Sequence, residues 1–220
     1  MRPTNLPRKV VIIGASTGGP LTLKRLCAVL PKVKACVVVI QHMPDHINKP
    51  FVKALKKASH MDVKLAESGD VLHEGLILVA PSGVQIELVN NERVSVRFGP
   101  PVNNVSPSID VAMKSLRPAE GVEFVGVILT GMGRDGVEGI RHIKHIGGTT
   151  IVQSRETAVL FGAPEAAFRT GSVDFVMRPE EIAKEIATVR VPVKDEYDVV
   201  VARGVGRREA REPGFSSVNS

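Results

Sequence analysis

Tryptophan is absent from this 220-residue chain, tyrosine occurs once, and aromatic residues together make up 4%. A core without large rings must be aliphatic, and β-branched runs such as Val10–Ile13 and Val37–Ile40 supply it. The lack of aromatics also argues against nucleic-acid binding by base stacking, and the basic residues are scattered rather than clustered. Cysteine occurs twice, with no repeated spacing of the kind a disulfide framework or zinc site needs. Cys27 falls in a predicted helix and Cys36 in a predicted strand, so both read as small core residues of a protein in a reducing cytoplasm. No apolar run approaches membrane-spanning length, and Met1–Lys9 is short, polar and broken by Pro3 and Pro7, unlike a secretory signal. The net charge is +6, while basic and acidic residues balance from Val191 onward. The excess therefore belongs to the first 190 residues and suggests an acidic partner surface.

What is present is an alternation of strand, turn and helix. Val10–Ile13, Val37–Ile40, Leu76–Val79, Phe124–Leu129, Thr150–Gln153 and Phe175–Val176 are predicted strands. Their continuous apolar runs suit a parallel sheet covered on both faces. Pro20–Leu30 reads as a helix with Leu21, Leu23, Leu26 and Leu30 as its apolar positions. Further helices are predicted over Pro50–Ser59, Ser106–Leu116 with Pro107 at an early position, Val137–His145, Ala163–Thr170 and Pro179–Ala187. Gln85–Val89 and Arg93–Phe98 flank Asn90–Glu92 and predict a hairpin, an antiparallel element on an otherwise parallel sheet. The expected fold is α/β, a doubly wound, mostly parallel sheet with helices on both faces. Residues 1–8 read as an extension, 9–190 as the folded domain, and 191–220 as a C-terminal tail without periodicity.

Chemistry is concentrated where the strongest strands end. Gly14-Ala-Ser16-Thr-Gly18-Gly19 links the first strand to its helix. Glycines on both sides of a serine allow a sharp turn that lifts the hydroxyl above the sheet, and the pattern is that of a nucleophile elbow. A capped turn or a phosphate loop would use similar residues, but a dinucleotide fingerprint wants glycine where Ser16 stands. His42, in Gln41-His-Met-Pro44, follows the second strand at the same edge. Asp135, in Thr130-Gly-Met-Gly-Arg-Asp-Gly136, follows the Phe124–Leu129 strand and could orient a histidine or cap the next helix. His142 and His145 lie three apart on a helix with no carboxylate at ligand spacing, and a solvated face is the simpler assignment.

The three loops together resemble the catalytic domain of the CheB family, the chemotaxis protein-glutamate methylesterases, many of which also act as glutaminases. Ala80–Pro81, Pro100–Asn103, Pro107–Asp110 and Phe161–Ala166 add to the resemblance, which spans about Lys9 to Ala187. It implies that Ser16 is the nucleophile, His42 its general base and Asp135 the residue orienting His42. The backbone amides of Thr17 and Met132 would serve as oxyanion donors, and Met43 and Met132 would wall the site. The implied reaction is hydrolysis of glutamate γ-methyl esters on the cytoplasmic domains of methyl-accepting chemotaxis receptors or a receptor-like protein. No cofactor, metal, nucleic acid or membrane insertion is implied.

The chain departs from the family in several places. No receiver domain is expected ahead of the first strand. Pro81-Ser-Gly-Val-Gln85 stands where members often read Pro-Gly-Gly-Arg-His. Asn104, Val105 and Ser106 replace basic or histidine residues, and Gln153-Ser-Arg155 replaces Gln-Asp-Glu. These changes keep open a second possibility, a receptor-binding or signalling module without turnover.

Overall fold

A computed structural model describes residues 7–188. The proposed tail, 191–220, lies outside the described residues, as does most of the 1–8 extension. Strands are β1 (Lys9–Ala15), β2 (Ala35–Gln41), β3 (Asp62–Leu65), β4 (Leu76–Val79), β5 (Gln85–Val89), β6 (Arg93–Arg97), β7 (Glu123–Ile128), β8 (Thr149–Gln153) and β9 (Phe175–Met177). Helices are α1 (Gly19–Val29), α2 (Asn48–Ala58), α3 (Ile109–Lys114), α4 (Val137–His145), α5 (Gly162–Phe168) and α6 (Pro179–Ala187), with a 3-10 turn at Asp45–Ile47.

Seven strands form one sheet in the order β3-β4-β2-β1-β7-β8-β9, and every pairing in it is parallel. The central strands can be apolar at every position because both faces are covered. Val10–Ile13 are at most 1% exposed, and burying each contributes about 1.5–3 kcal/mol. Alternate residues of β1 enter different cores. Val11 and Ile13 pack with Leu23 and Leu26 of α1, Leu55 of α2 and Ile182 of α6. Val10 and Ile12 pack with Met113 of α3 and with Ile140 and Ile143 of α4.

Four expectations are corrected. The β5–β6 hairpin is antiparallel but forms its own two-stranded sheet, apart from the main one. β3 was not anticipated, because it is a four-residue edge strand with only Val63 buried. Leu21 is not a core position: it is 54% exposed, at the first turn of α1 and off the stripe that Leu23 and Leu26 define. Pro107 does not open a helix, since Ser108 is the N-cap of α3 and accepts from the Val111 N–H.

Both cysteines are free and buried, and burial pushes each thiol up to about 12. Native protein should therefore resist thiol reagents at neutral pH, because the thiolate is the reacting form. Titration with a chromogenic disulfide should find no fast thiol until the chain is unfolded. Prompt labelling of Cys27 or Cys36 would contradict this packing.

Candidate active site

The order in which strands are added reverses at β1. From β1 the chain crosses to β2 on one side, whereas β7 lies on the other side and leads to β8. Loops leaving the carboxyl ends of β1 and β7 therefore part, and the crevice between them is where a doubly wound sheet offers a site. Ser16 follows β1, and the Gly131–Asp135 loop follows β7.

Register places the two other groups beside Ser16. Ala15 pairs with Gln41, so Ser16 and His42 are the next residues on adjacent parallel strands, whose backbones run about 4.8 Å apart. The ladder continues past the strand ends: His42 N–H donates to Ala15 O at 3.0 Å, and Ser16 N–H to Thr130 O at 3.0 Å. The Gln41 side chain, 1% exposed, donates from Nε2 to Ser16 O at 3.0 Å and to His42 O at 2.8 Å. One buried amide thus ties the two loops together.

Glycines make room for these contacts. Gly18 has φ +83°, a conformation that favours glycine. A Cβ on Gly131 would sit 2.8 Å from Ser16 Cβ and 3.2 Å from Ser16 N. Ser16 Cβ is fixed by the backbone that carries it, and Ser16 N is backbone, so neither can swing aside. Gly131→Ala should lower stability by about 1–3 kcal/mol in urea denaturation, and an unchanged midpoint would refute the close approach.

His42 Nε2 lies 3.0 Å from Asp135 Oδ2. Asp135 is 6% exposed and is held by four further donors. Ile109 N–H donates to Oδ2 at 2.6 Å, while Ser108 Oγ (2.6 Å), Asn103 Nδ2 (3.0 Å) and Asp110 N–H (3.2 Å) donate to Oδ1. Burial alone would push this carboxyl up. The donors from His42, Ser108, Ile109 and Asn103 outweigh it and hold the carboxyl below its ordinary value. An ionised Asp135 is acceptor-only, so Nε2 carries the imidazole proton and Nδ1 is left as the basic nitrogen. The described hydrogen bonds do not join the Ser16 hydroxyl to that ring, a contact that commonly tightens only when substrate is bound.

Asp135 does not cap α4. The N-cap is Gly136 at φ +102°, and the carboxylate at that helix start is Asp110, whose Oδ1 accepts from Gly136 N–H at 3.0 Å and Gly139 N–H at 2.7 Å. Burial pushes the Asp110 carboxyl up, and the Asp135 charge adds to the effect.

The other anticipated residues are placed as follows. Thr17 and Met132 lie in the turns after β1 and β7, and neither donates its backbone N–H to any partner among the described residues. Met132 is 76% exposed, whereas half-buried Met43 packs against the core. His142 is not on a solvated face: it is half-buried, and its Nε2 lies 2.9 Å from Leu116 O. Among the described residues no group of three His, Cys, Asp or Glu side chains is placed to hold a metal ion, and no helix is long and apolar enough to cross a membrane.

Sequence inspection gave no role to Gln41, Ser108 or Asp110, although Pro-Ser-Ile-Asp at 107–110 carries the signal of a capped helix start. Two of the departures also prove to be joined. Gln85 Nε2 donates to Ser106 Oγ at 2.9 Å and reaches Pro100 O and Val105 O, while its Oε1 accepts from Ser108 N–H at 2.9 Å.

The fold is a parallel, doubly wound α/β sheet that gathers a hydroxyl, an imidazole and a buried carboxylate at its switch point. Residues 11–186 match the CheB methylesterase family model, and the chain belongs to that family. Among curated relatives, the protein-glutamate methylesterase/protein-glutamine glutaminase of Pyrococcus horikoshii is 38% identical over 198 residues, 86% of this chain and 54% of its own length. The protein of the same name from Archaeoglobus fulgidus is 42% identical over 180 residues, 80% of this chain and 52% of its own. The chain thus spans about half the length of the curated relatives it matches. The crystal structure of the Thermotoga maritima CheB methylesterase catalytic domain superposes with a TM-score of 0.75 at 33% identity, covering 81% of this chain and 97% of that one.

Proposed function

We propose that this chain hydrolyses glutamate γ-methyl esters on the cytoplasmic domains of methyl-accepting chemotaxis receptors or a receptor-like protein, with Ser16, His42 and Asp135 as its triad. The observation that carries this is the His42–Asp135 hydrogen bond, fixed at the carboxyl edge of the sheet beside Ser16.

Ser16 Oγ attacks the ester carbonyl as its proton passes to His42 Nδ1. The imidazolium is stabilised by Asp135 through Nε2. Negative charge developing on the carbonyl oxygen is met by the Thr17 and Met132 N–H groups. The tetrahedral intermediate collapses, the C–O bond to methoxide breaks, and the His42 proton leaves with it as methanol. Water, deprotonated by His42, then attacks the acyl-enzyme, and Ser16 is restored with a glutamate carboxylate as product. The relatives' names include glutaminase; the same sequence with an amide would release ammonia. Excess positive charge favours docking on acidic receptor helices, and the work is done in the cytoplasm.

The test is methanol release from methyl-labelled receptor membranes, run beside a fluorophosphonate probe. Turnover with labelling at Ser16 supports the hydrolase. Folded protein that neither turns over nor labels would overturn it in favour of a receptor-binding module.

A further inference from the structure

We infer that Asn103 is a positioning residue for this triad, its carboxamide being the donor shared by two buried carboxylates, Asp135 and Asp110, so that Asp135 keeps Oδ2 turned toward His42. The inference rests on the hydrolase reading and adds a residue to it.

Asp110 and Asp135 are each 6% exposed, and the Asp110 N–H donates to Asp135 Oδ1 at 3.2 Å, so the Asp135 carboxylate lies against the Asp110 backbone. Two carboxylates so close destabilise each other's charge. Between them stands one nitrogen: Asn103 Nδ2 donates to Asp110 Oδ2 at 2.7 Å and to Asp135 Oδ1 at 3.0 Å. A primary amide has two N–H donors, which is what two acceptors require. Its neutrality matters equally. A lysine or arginine here would pair with Asp135 and weaken its hold on the imidazolium, whereas an amide orients the carboxylate without cancelling its charge.

Delivery of that amide is rigid. Val102 and Val105 exchange N–H···O bonds of 3.1 Å in both directions, and the residues between them, Asn103 and Asn104, have φ of +54° and +63°. This is a two-residue hairpin turn with both central residues left-handed, a conformation asparagine tolerates best after glycine. Gln85 holds the stem of the same loop. Neither acid is free to turn away, because Asp110 Oδ1 is taken by the start of α4 and Asp135 Oδ1 also accepts from Ser108. Titratable groups facing Asp135 are His42, beyond β2, and Asp110, on α3; its remaining partners are neutral.

Asn103 is exposed as a residue, so replacing it does not open the core. Asn103→Gly removes the donor while keeping the backbone unstrained. We expect kcat for methanol release to fall about tenfold with KM within about twofold. Asn103→Asp keeps the turn but sets a third carboxyl against the other two. Its loss should be larger at alkaline pH and should shrink as the new acid takes a proton and donates again. The ratio of variant to native kcat should therefore rise about tenfold between about pH 8.5 and about pH 5.5. NMR titration of the His42 ring in the same variant should move to higher pH, because a further negative charge stabilises the imidazolium. Both variants within twofold of native at every pH, with the His42 midpoint unmoved, would overturn the inference. Should the native chain release no methanol, the hydrolase reading fails instead, and the substrate-free His42 titration still decides the place of Asn103.

Discussion

Ser16→Ala should abolish methanol release, by about 10⁴-fold or more in kcat, while leaving the fold intact. The serine is half-buried in a turn and its hydroxyl makes no hydrogen bond among the described residues, so its removal orphans no buried partner. Stability should stay within about 0.5 kcal/mol of native, as for substitutions that break no packing or network. In the proposed mechanism, what is lost is the atom that forms the acyl-enzyme. Single-turnover assays on methylated receptor should show no burst, and the fluorophosphonate label should disappear. Adding His42→Gln to Ser16→Ala should cost almost nothing more, because a base without its nucleophile has no proton to take. Full activity in Ser16→Ala would remove the serine mechanism, whatever the family.

Asp135→Asn should combine a large catalytic loss with a measurable loss of stability. All five contacts to this side chain come from donors, two to Oδ2 and three to Oδ1. Whichever way an asparagine is turned, its NH₂ faces donors. If it faces His42, the ring must offer its other tautomer and Nδ1 is no longer the base. By analogy with other triads kcat should fall on the order of 10⁴-fold. Mispaired buried donors should cost about 1–3 kcal/mol at neutral pH.

That stability loss should depend on pH in a known direction. Folding holds the Asp135 carboxyl below its ordinary value, so its contribution is full above the unfolded-state pKa, about 4. It is lost as pH falls through the folded-state value. Asp110 acts with the opposite sign: its raised carboxyl penalises the folded state at neutral pH and is relieved on acidification. Since part of that penalty comes from the Asp135 charge, Asp135→Asn recovers a fraction of it. The native–variant difference in urea denaturation should therefore be largest near neutrality and shrink below about pH 4. A difference that stays constant across that range would show that Asp135 is not held as an ion.

How legible the chain was follows from where each signal lies. Strands β1, β2, β4 and β7 could be read because burial on both faces makes their central positions apolar. β3 could not, since an edge strand needs neither length nor an apolar run. The hairpin was legible as a hairpin, but not its separation from the main sheet, because local pattern fixes a turn and says nothing about which edge the strands join. Ser16 stood out through its glycines. Which carboxylate meets the start of α4 was not open to inspection: Asp135 precedes that helix by two residues, Asp110 lies in the first turn of α3, and only the approach of α3 to α4 decides which acid meets which amides.

The sequence by itself determined the α/β alternation, the aliphatic core, and the loops that hold Ser16, His42 and Asp135, because periodicity, glycine spacing and strand ends are local properties. Tertiary structure alone decided that β1 and β7 are neighbours and that His42 presents Nε2 to Asp135. It also decided that a second acid and a turn asparagine complete the surroundings of that carboxylate. The physical reason is that these contacts join residues 25 to 114 positions apart, brought together by strand order and parallel register.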